Sequence, residues 1–292
     1  MSNPLDMAGS EIQKKIKQES GFPGLGLTNQ IKKKIGRHLG SIQSAWDART
    51  RERFGQNLTF SSASAHFSSR NELYAYMHHY FHNFCPRDVR EHREYYTQEG
   101  RGFGEDAFHA MWFLLLREFQ PKQCLEIGIY RGQVISLWAL IARNSEFACD
   151  VHGISPFSSA GDEASVYLSE ISYLEDTLLN HRHLKLPEPH LLRAFSTDPV
   201  ALDQIRSRRW DLIYIDGNHD YEVALADYQV CRDSLASGGL LVMDDSSLFT
   251  DYKAPLYAFA GHPGPSRVVQ EKAMKELCFL GGVGHNNVFV KR

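Results

Sequence analysis

The sequence lacks the features that would place a chain in a membrane or in an oxidising compartment. No apolar run approaches the roughly 18 residues that a membrane helix needs, and the N-terminus has no apolar segment of the kind found in signal peptides. Cysteines are few, odd in number, widely spaced and without a C-x-x-C pair, which favours reduced thiols over a disulfide framework. The five cysteines are Cys85, Cys124, Cys149, Cys231 and Cys278. We therefore expect a soluble protein of the cytoplasm.

A strong excess of one charge is also missing, as are internal repeats and low-complexity tracts. The formal net charge of −3 gives no general argument for binding nucleic acid or an anionic membrane, and we predict neither as a partner. With 292 residues, of which 42% are hydrophobic, the chain is long enough for one large α/β domain and an appendage of about 100 residues. Any partner must therefore be identified from local motifs.

Residues 1–104 differ in pattern from the rest and predict a mainly helical arm or lid. Apolar residues recur at helical spacing between Ile31 and Trp46, with lysines on the opposite side of the helix. Such a helix either docks on its own domain or on a second subunit, or it binds a membrane surface. We favour docking, which makes a homo-oligomer through the N-terminal helices an expectation.

A second helix is predicted to begin at the capping box Ser69-Arg-Asn-Glu72. On this helix, His78 and His82 lie one turn apart, which is a spacing that metal-binding histidine pairs use. No third ligand is apparent in the sequence, and histidines are common on helix surfaces, so we favour a solvated helix face. The residues that follow, 83–104, predict a loop.

Residues 105–292 alternate between predicted helices and short apolar strands. This alternation is typical of a doubly wound, Rossmann-like α/β fold with a mostly parallel sheet, and the tail predicts an antiparallel C-terminal hairpin, which makes seven strands. The helix before the last parallel strand is expected over Tyr221–Ser237. The five predicted parallel strands are Gln123–Ile127, Cys149–Ile154, His190–Arg193, Asp211–Ile215 and Leu240–Met243.

Acidic residues follow two of these strands. Asp216 ends one, Asp244 and Asp245 end another, and if the strands are neighbours the three acids converge beside His219. Carboxylates about 4 Å apart repel by roughly 4 kcal/mol at an effective dielectric near 20. A hard divalent cation, Mg²⁺ above all, would relieve that repulsion and leave positions for a substrate hydroxyl. The alternative is that the acids cap helices or turns and that the histidine only packs.

A glycine-rich turn joins the first strand to its helix. The segment Leu125–Gly132 reads LEIGIYRG, in which Gly128 and Gly132 let the backbone approach a ligand and Glu126 offers a carboxylate to hydroxyl or ammonium groups. The third glycine of the dinucleotide fingerprint is missing. A tight turn without a ligand is the alternative interpretation.

Together these motifs resemble the class I S-adenosylmethionine-dependent methyltransferases, from Gln123 to Arg292. The segments LEIGIYRG, IDGNHDYE (215–222) and MDD (243–245) are similar to the metal-dependent O-methyltransferases that act on macrolide sugars and to the related cephalosporin-methoxylation enzyme. The resemblance implies a methyltransferase domain over residues 105–292. It also implies that Asp216, Asp244 and Asp245 hold Mg²⁺ and that His219 is the catalytic general base.

The resemblance further implies a site for S-adenosylmethionine. The residues that it assigns to the cofactor are Glu126, Gly128, Tyr130, Arg131, Gly132, Ser136, Ser155, Phe195, Ser196 and Asp216. Ser155 stands where this superfamily usually has an acid for the ribose hydroxyls, and a hydroxyl binds ribose less strongly than a carboxylate does. Asp162, in the following loop, is the alternative ribose partner.

The implied activity is methyl transfer to a hydroxyl of a small molecule, a sugar or another natural-product intermediate. An aliphatic hydroxyl is a poor nucleophile at neutral pH, so Mg²⁺ would lower its pKa while His219 accepts its proton. Two alternatives remain: a non-catalytic scaffold with the methyltransferase fold, which Ser155 favours, and a metal-dependent enzyme of this fold that uses no cofactor.

Overall fold

The structure is a computed structural model that describes residues 53–159, 161–162, 167–168, 170–255 and 258–292. Within it, Asn57–Arg292 form one compact unit, so the described helices before residue 105 pack in the same unit as the sheet. The amphipathic helix predicted between Ile31 and Trp46, and the oligomer contact expected from it, lie outside the described residues. The domain division at residue 104 stays a prediction.

A seven-stranded sheet crosses the compact unit, with the strand order β3-β2-β1-β4-β5-β7-β6. The first five strands are parallel, and β7 runs antiparallel to both of its neighbours. The strands are β1 (Gln123–Ile127), β2 (Asp150–Ser155), β3 (His190–Arg193), β4 (Trp210–Ile215), β5 (Leu235–Met243), β6 (Cys278–Val283) and β7 (Asn286–Val290). The predicted doubly wound sheet with its C-terminal hairpin is therefore confirmed.

The central strand β4 is apolar at most of its positions because both faces of the sheet are covered. In β4, which reads WDLIYI, the side chains of Trp210, Leu212 and Ile213 are all fully buried. Parallel strands under helices on both faces cannot alternate between apolar and polar residues without burying polar groups. The continuous apolar runs in the sequence follow from this constraint.

The described helices are α1 (Phe60–His66), α2 (Arg70–Asn83), α3 (Arg87–Thr97), α4 (Asp106–Phe119), α5 (Gln133–Asn144), α6 (Tyr173–His183), α7 (Pro199–Arg206), α8 (Tyr221–Ser234) and α9 (Pro263–Val268). A π-helical turn (Val269–Ala273) and a short helix (Met274–Glu276) continue α9. None of the helices described is both long and apolar enough to cross a bilayer. The capping box before α2 is confirmed, since the Ser69 hydroxyl accepts a hydrogen bond from the Glu72 backbone N–H at 3.2 Å.

Strand β5 begins at Leu235, earlier than predicted, because α8 ends at Ser234 and not at Ser237. Leu235 pairs with Trp210 of β4 and is buried, so its side chain has a place in the sheet. Gly238 has a left-handed φ of 77°, a conformation that no helix accepts. The chain therefore leaves the helix before these residues.

The loop predicted over residues 83–104 is wrong in part, because Arg87–Thr97 form α3. This helix reads RDVREHREYYT and buries a histidine and an arginine, where an apolar stripe is usual. Its buried residues are Val89, His92, Arg93 and Tyr96. Hydrophobic periodicity does not reveal a helix whose inward face is largely polar.

A buried polar network attaches α3 to α4 and α5. His92 Nδ1 lies 3.1 Å from His109 Nε2, and His92 Nε2 lies 2.9 Å from the Ser136 hydroxyl. The Tyr96 hydroxyl is 2.9 Å from the same Ser136 oxygen and donates to the backbone carbonyl of Gly132 at 3.1 Å. Burial lowers the pKa of both histidines, with the neighbouring His109 adding to the effect at His92. The network is therefore built from neutral rings.

We expect the free energy of unfolding to fall as the pH drops below about 6.5, the pKa of a histidine in an unfolded chain. Burial and the charge of Arg93 lower the pKa of folded His109 to about 3. Between these two values protons bind the unfolded chain and not the folded protein, so acid favours unfolding. From pH 7 to pH 5 the loss should be about 2 kcal/mol for this histidine, measured by urea unfolding.

The matched variants are His109→Gln, which removes the titrating ring, and His66→Gln, which removes an exposed one. We expect His109→Gln to reduce the loss of stability between pH 7 and pH 5 by about 2 kcal/mol, the share of this ring, while His92 keeps its own contribution; His66→Gln should leave the loss unchanged. If the free energy of unfolding changes with pH by the same amount in the wild type and in His109→Gln, the effect does not come from His109.

Candidate functional site

The acids predicted to converge do so at the carboxyl ends of β4 and β5. These strands are parallel neighbours with Ile215 opposite Met243, so Asp216 and Asp244 leave the sheet side by side. A pocket opens here, and its lining includes both of these acids, Asp245 and His219. The sequence prediction that these four residues lie together is met by the structure.

Asp244 and Asp245 both face this pocket although they are consecutive. Successive side chains of a regular strand point to opposite faces of the sheet. Asp245 leaves that regularity, with a left-handed φ of 48°, and its carbonyl accepts a hydrogen bond from the His262 N–H at 2.7 Å. The strand therefore turns into its loop at this residue, and the turn redirects the second carboxylate.

His219 lies between two carboxylates. Its Nδ1 and its backbone N–H are each 2.8 Å from Oδ2 of Asp162, and its Nε2 is 3.0 Å from Oδ2 of Asp245. Burial lowers the pKa of His219, but the hydrogen bond to Asp245 and the charge of Asp162 outweigh burial and raise that pKa above its usual value. The ring is held in one orientation beside the acids.

Two further histidines belong to the site and were missed in the sequence. His285 Nδ1 lies 2.8 Å from Asp244 Oδ1 and 3.1 Å from Asp245 Oδ1, and the ring centroid of His262 lies 4.1 Å from that of His219. A signal for His285 was available, because the predicted hairpin returns antiparallel beside β5 and brings its turn to the carboxyl end of that strand. His262 lies on an irregular segment that no periodicity marks.

Carboxylates and histidine rings alternate across this cluster. Burial opposes ionisation of Asp245, but hydrogen bonds from His219 and His285 hold its pKa below the usual range. Asp216 has no such partner, and burial together with the charges of Asp244 and Asp245 raises its pKa well above the usual value. Crowding of the three carboxyl groups around Asp216 fits a divalent cation, which would take the place of the proton and whose preferred ligands are carboxylate oxygens.

Glu126 and Gly128 place the glycine-rich turn next to the acids. Gly128 has a φ of 90°, and a Cβ atom on it would lie 1.9 Å from the backbone oxygen of Asp216, so only glycine fits there. The Glu126 side chain is buried, one of its oxygens has no hydrogen-bond partner, and burial raises its pKa well above the usual value. A buried acceptor without a donor fits a ligand hydroxyl.

Three of the polar side chains expected around the cofactor form hydrogen bonds with other groups of the protein. Arg131 donates two hydrogen bonds to Asp176, at 2.6 and 3.0 Å, and Ser136 belongs to the His92 network. Ser155 donates to the carbonyl of Ile129 at 3.1 Å. Asp162, the alternative ribose partner, contacts His219 in the structure.

The other expected cofactor residues lie around the glycine turn and after β3. Gly132 caps α5 with a φ of 81°, and the Tyr130 ring packs 5.0 Å from the rings of Phe103 and Tyr173. Phe195 is 46% exposed. Ser196 hydrogen-bonds the buried carboxyl of Asp227, whose pKa burial raises to about 6 and which sequence analysis missed.

Comparisons with known proteins agree with this fold. Residues 125–246 match a methyltransferase domain family. The SAH-bound methyltransferase PaMTH1 of Podospora anserina superposes with a TM-score of 0.50 at 14% identity, covering 71% of this chain and 89% of that one. A protein of Staphylococcus aureus assigned as a caffeoyl-CoA O-methyltransferase superposes with a TM-score of 0.50 at 13% identity, covering 71% and 93%. No curated protein matches the sequence.

We expect Gly128→Ala to lower the free energy of unfolding by more than about 3 kcal/mol, because the new methyl group would overlap the β4 loop. Gly238→Ala is the matched control, since Gly238 also has a positive φ, of 77°, but a Cβ atom there meets nothing within 4 Å. That variant should lose only about 1 kcal/mol from backbone strain. Urea unfolding measures both, and equal losses would contradict the close approach of the two loops.

Proposed function

We propose that this class I methyltransferase domain transfers a methyl group from S-adenosylmethionine to a hydroxyl of a small molecule, with assistance from Mg²⁺. The observation that carries the proposal is the meeting of Asp216, Asp244, Asp245 and His219 at one pocket. The glycine turn beside that pocket supports a cofactor site next to the reacting groups. A sugar or another natural-product intermediate is the acceptor class that we propose.

Glu126 and the glycine turn would hold the cofactor. The partnerless oxygen of Glu126 is available to the ribose hydroxyls, and Gly128 and Gly132 supply the positive φ angles that the turn needs. Tyr130, Ser155, Phe195 and Ser196 would line the rest of the site. Arg131 binds Asp176, and Ser136 binds His92. Both would therefore support the shape of the glycine turn. SAH in the Podospora protein, the demethylated form of this cofactor, supports the same use of the fold.

Asp216, Asp244 and Asp245 would hold the cation. Mg²⁺ supplies Lewis acidity that lowers the pKa of a coordinated hydroxyl and orients it. His219 would accept the hydroxyl proton at Nε2 when Asp245 turns from that nitrogen to the cation, and Asp162 keeps the ring in place through the contact at Nδ1. Because methyl transfer is an in-line displacement, the remaining task of the protein is to align the acceptor oxygen with the methyl carbon.

A scaffold without catalytic activity is the second candidate. Its support is Ser155, which stands at the expected ribose position and already donates its hydroxyl hydrogen to the protein. A metal-dependent reaction without cofactor is the third candidate, and it predicts metal binding alone. The scaffold differs from the proposal in giving no turnover with any acceptor, and the metal-dependent enzyme differs in not binding S-adenosylmethionine.

We expect S-adenosylmethionine to bind the purified protein with micromolar affinity in a calorimetric titration, which requires no knowledge of the acceptor. The Asp244→Asn/Asp245→Asn double variant should retain the cofactor and lose Mg²⁺, because its amides carry no charge to hold the cation. Absence of cofactor binding with and without Mg²⁺ would refute the methyltransferase proposal. Unchanged Mg²⁺ binding by the double variant would refute the metal ligands.

We expect His219→Ala to abolish formation of S-adenosylhomocysteine from a panel of hydroxylated acceptors while cofactor binding stays normal. His219→Asn is the discriminating variant, because its amide still hydrogen-bonds but cannot take up a proton at neutral pH. If His219 is the base, both variants are inactive. Activity in His219→Asn would show instead that the histidine only positions its neighbours.

A further inference from the structure

The surface of α2 carries a histidine pair for which the fold provides a third ligand. His78 and His82 lie one turn apart, with ring centroids separated by 4.8 Å. Asp106, the first residue of α4, reaches both rings: its Oδ2 lies 3.0 Å from Nε2 of His82 and 3.9 Å from Nε2 of His78. One ligand atom from each residue lies within 4.8 Å of the other two.

The carboxylate of Asp106 is oriented by a residue on the side away from the two histidines. Arg93 of α3, whose side chain is only 7% exposed, donates from Nε to Oδ1 of Asp106 at 3.1 Å. This contact leaves Oδ2 directed at the histidines. A partner of this kind, which fixes a ligand without touching the ion, is a regular part of protein metal sites. Three helices therefore contribute to the arrangement.

The geometry requires little change to bind an ion. Zinc bonds to histidine nitrogen and carboxylate oxygen are about 2.0 to 2.2 Å long, which places ligand atoms of a tetrahedral site roughly 3.3 Å apart. The observed separations of 3.0 and 3.9 Å bracket that value. The side chains of His78, His82 and Asp106 are 40%, 50% and 20% exposed, so an ion can enter from solvent and keep water as a fourth ligand.

We propose that His78, His82 and Asp106 form a binding site for a transition-metal ion such as Zn²⁺, separate from the candidate active site. Two imidazoles and one carboxylate are a donor set for zinc and its neighbours, whereas Mg²⁺ takes oxygen ligands almost alone. None of these three residues belongs to the acid and histidine cluster at β4 and β5.

Such an ion would connect α2 to the start of α4. The residues just before α4 contact the glycine-turn side of the domain, since the Gly104 backbone N–H donates to the Gln133 side chain at 2.9 Å. An ion at Asp106 would therefore stabilise the segment that leads from the N-terminal helices to α5. None of the three ligands lies at the pocket, so we expect the ion to act on the stability of the fold.

Titration of Zn²⁺ into the full chain, with Mg²⁺ present in excess, tests the proposal. The background is the Asp244→Asn/Asp245→Asn variant, in which zinc binding at the candidate active site is weakened. We expect micromolar binding, a rise in Tm of several degrees on adding zinc, and visible absorption typical of four-coordinate Co²⁺ when cobalt replaces zinc. His82→Gln and His78→Gln in this background should each lower affinity at least tenfold and abolish the rise in Tm.

His79→Gln is the matched control, because His79 lies on the same helix between the two ligands and is not part of the cluster. It should bind zinc as its parent does. The Tm without metal must be equal in all three histidine variants, which separates loss of a ligand from loss of folding. Zinc binding that is absent in the parent, or unchanged in both His78→Gln and His82→Gln, would overturn the proposal.

Discussion

Repulsion among carboxylates at the carboxyl ends of β4 and β5 is the constraint on which the candidate site depends. The parallel pairing of these strands brings Asp216 beside Asp244, and the left-handed turn at Asp245 adds a third acid. His219 and His285 balance part of this charge and hold the Asp245 carboxyl ionised. Asp216 has no histidine partner among the described residues, and its pKa is raised. The cluster thus places carboxylate oxygens, which hard cations prefer, beside histidine nitrogens, which can carry protons.

The helices before the sheet support the glycine turn and do not merely precede it. Tyr96 of α3 binds the carbonyl of Gly132, and the 3₁₀ turn that follows α3 binds Arg131 through the carbonyl of Glu99 at 2.9 Å. On the other side, α6 holds Arg131 through Asp176. These contacts position the turn without occupying the partnerless oxygen of Glu126. The described helices before the sheet are therefore part of the structure that shapes the glycine turn.

The two clusters of potential ligands differ in chemistry because they arise from different elements. Acids that directly follow neighbouring strands lie together at one edge of the sheet, which makes that site rich in oxygen ligands. Helix α2 instead presents one face, so residues one turn apart lie together and His78 pairs with His82. Asp106 joins them from the start of another helix. The oxygen-rich cluster thus forms where the ends of neighbouring strands meet, and the histidine pair forms where one helix face carries residues one turn apart.

The sequence by itself determined the strands, their mostly parallel arrangement and the positions of Asp216, Asp244 and Asp245 at strand ends, because apolar runs and the acids that follow them are local patterns. Only the tertiary structure decided that β4 and β5 are neighbours, so that these acids meet beside His219, and which distant residues join them. Asp162 reaches His219 from a loop, and His262 and His285 reach the acids from a loop and a hairpin turn. Asp106 reaches the α2 histidines from another helix. Helix α3 was missed for a related reason: His92 and Arg93 are buried there because partners from other helices satisfy them, and no local pattern records those partners.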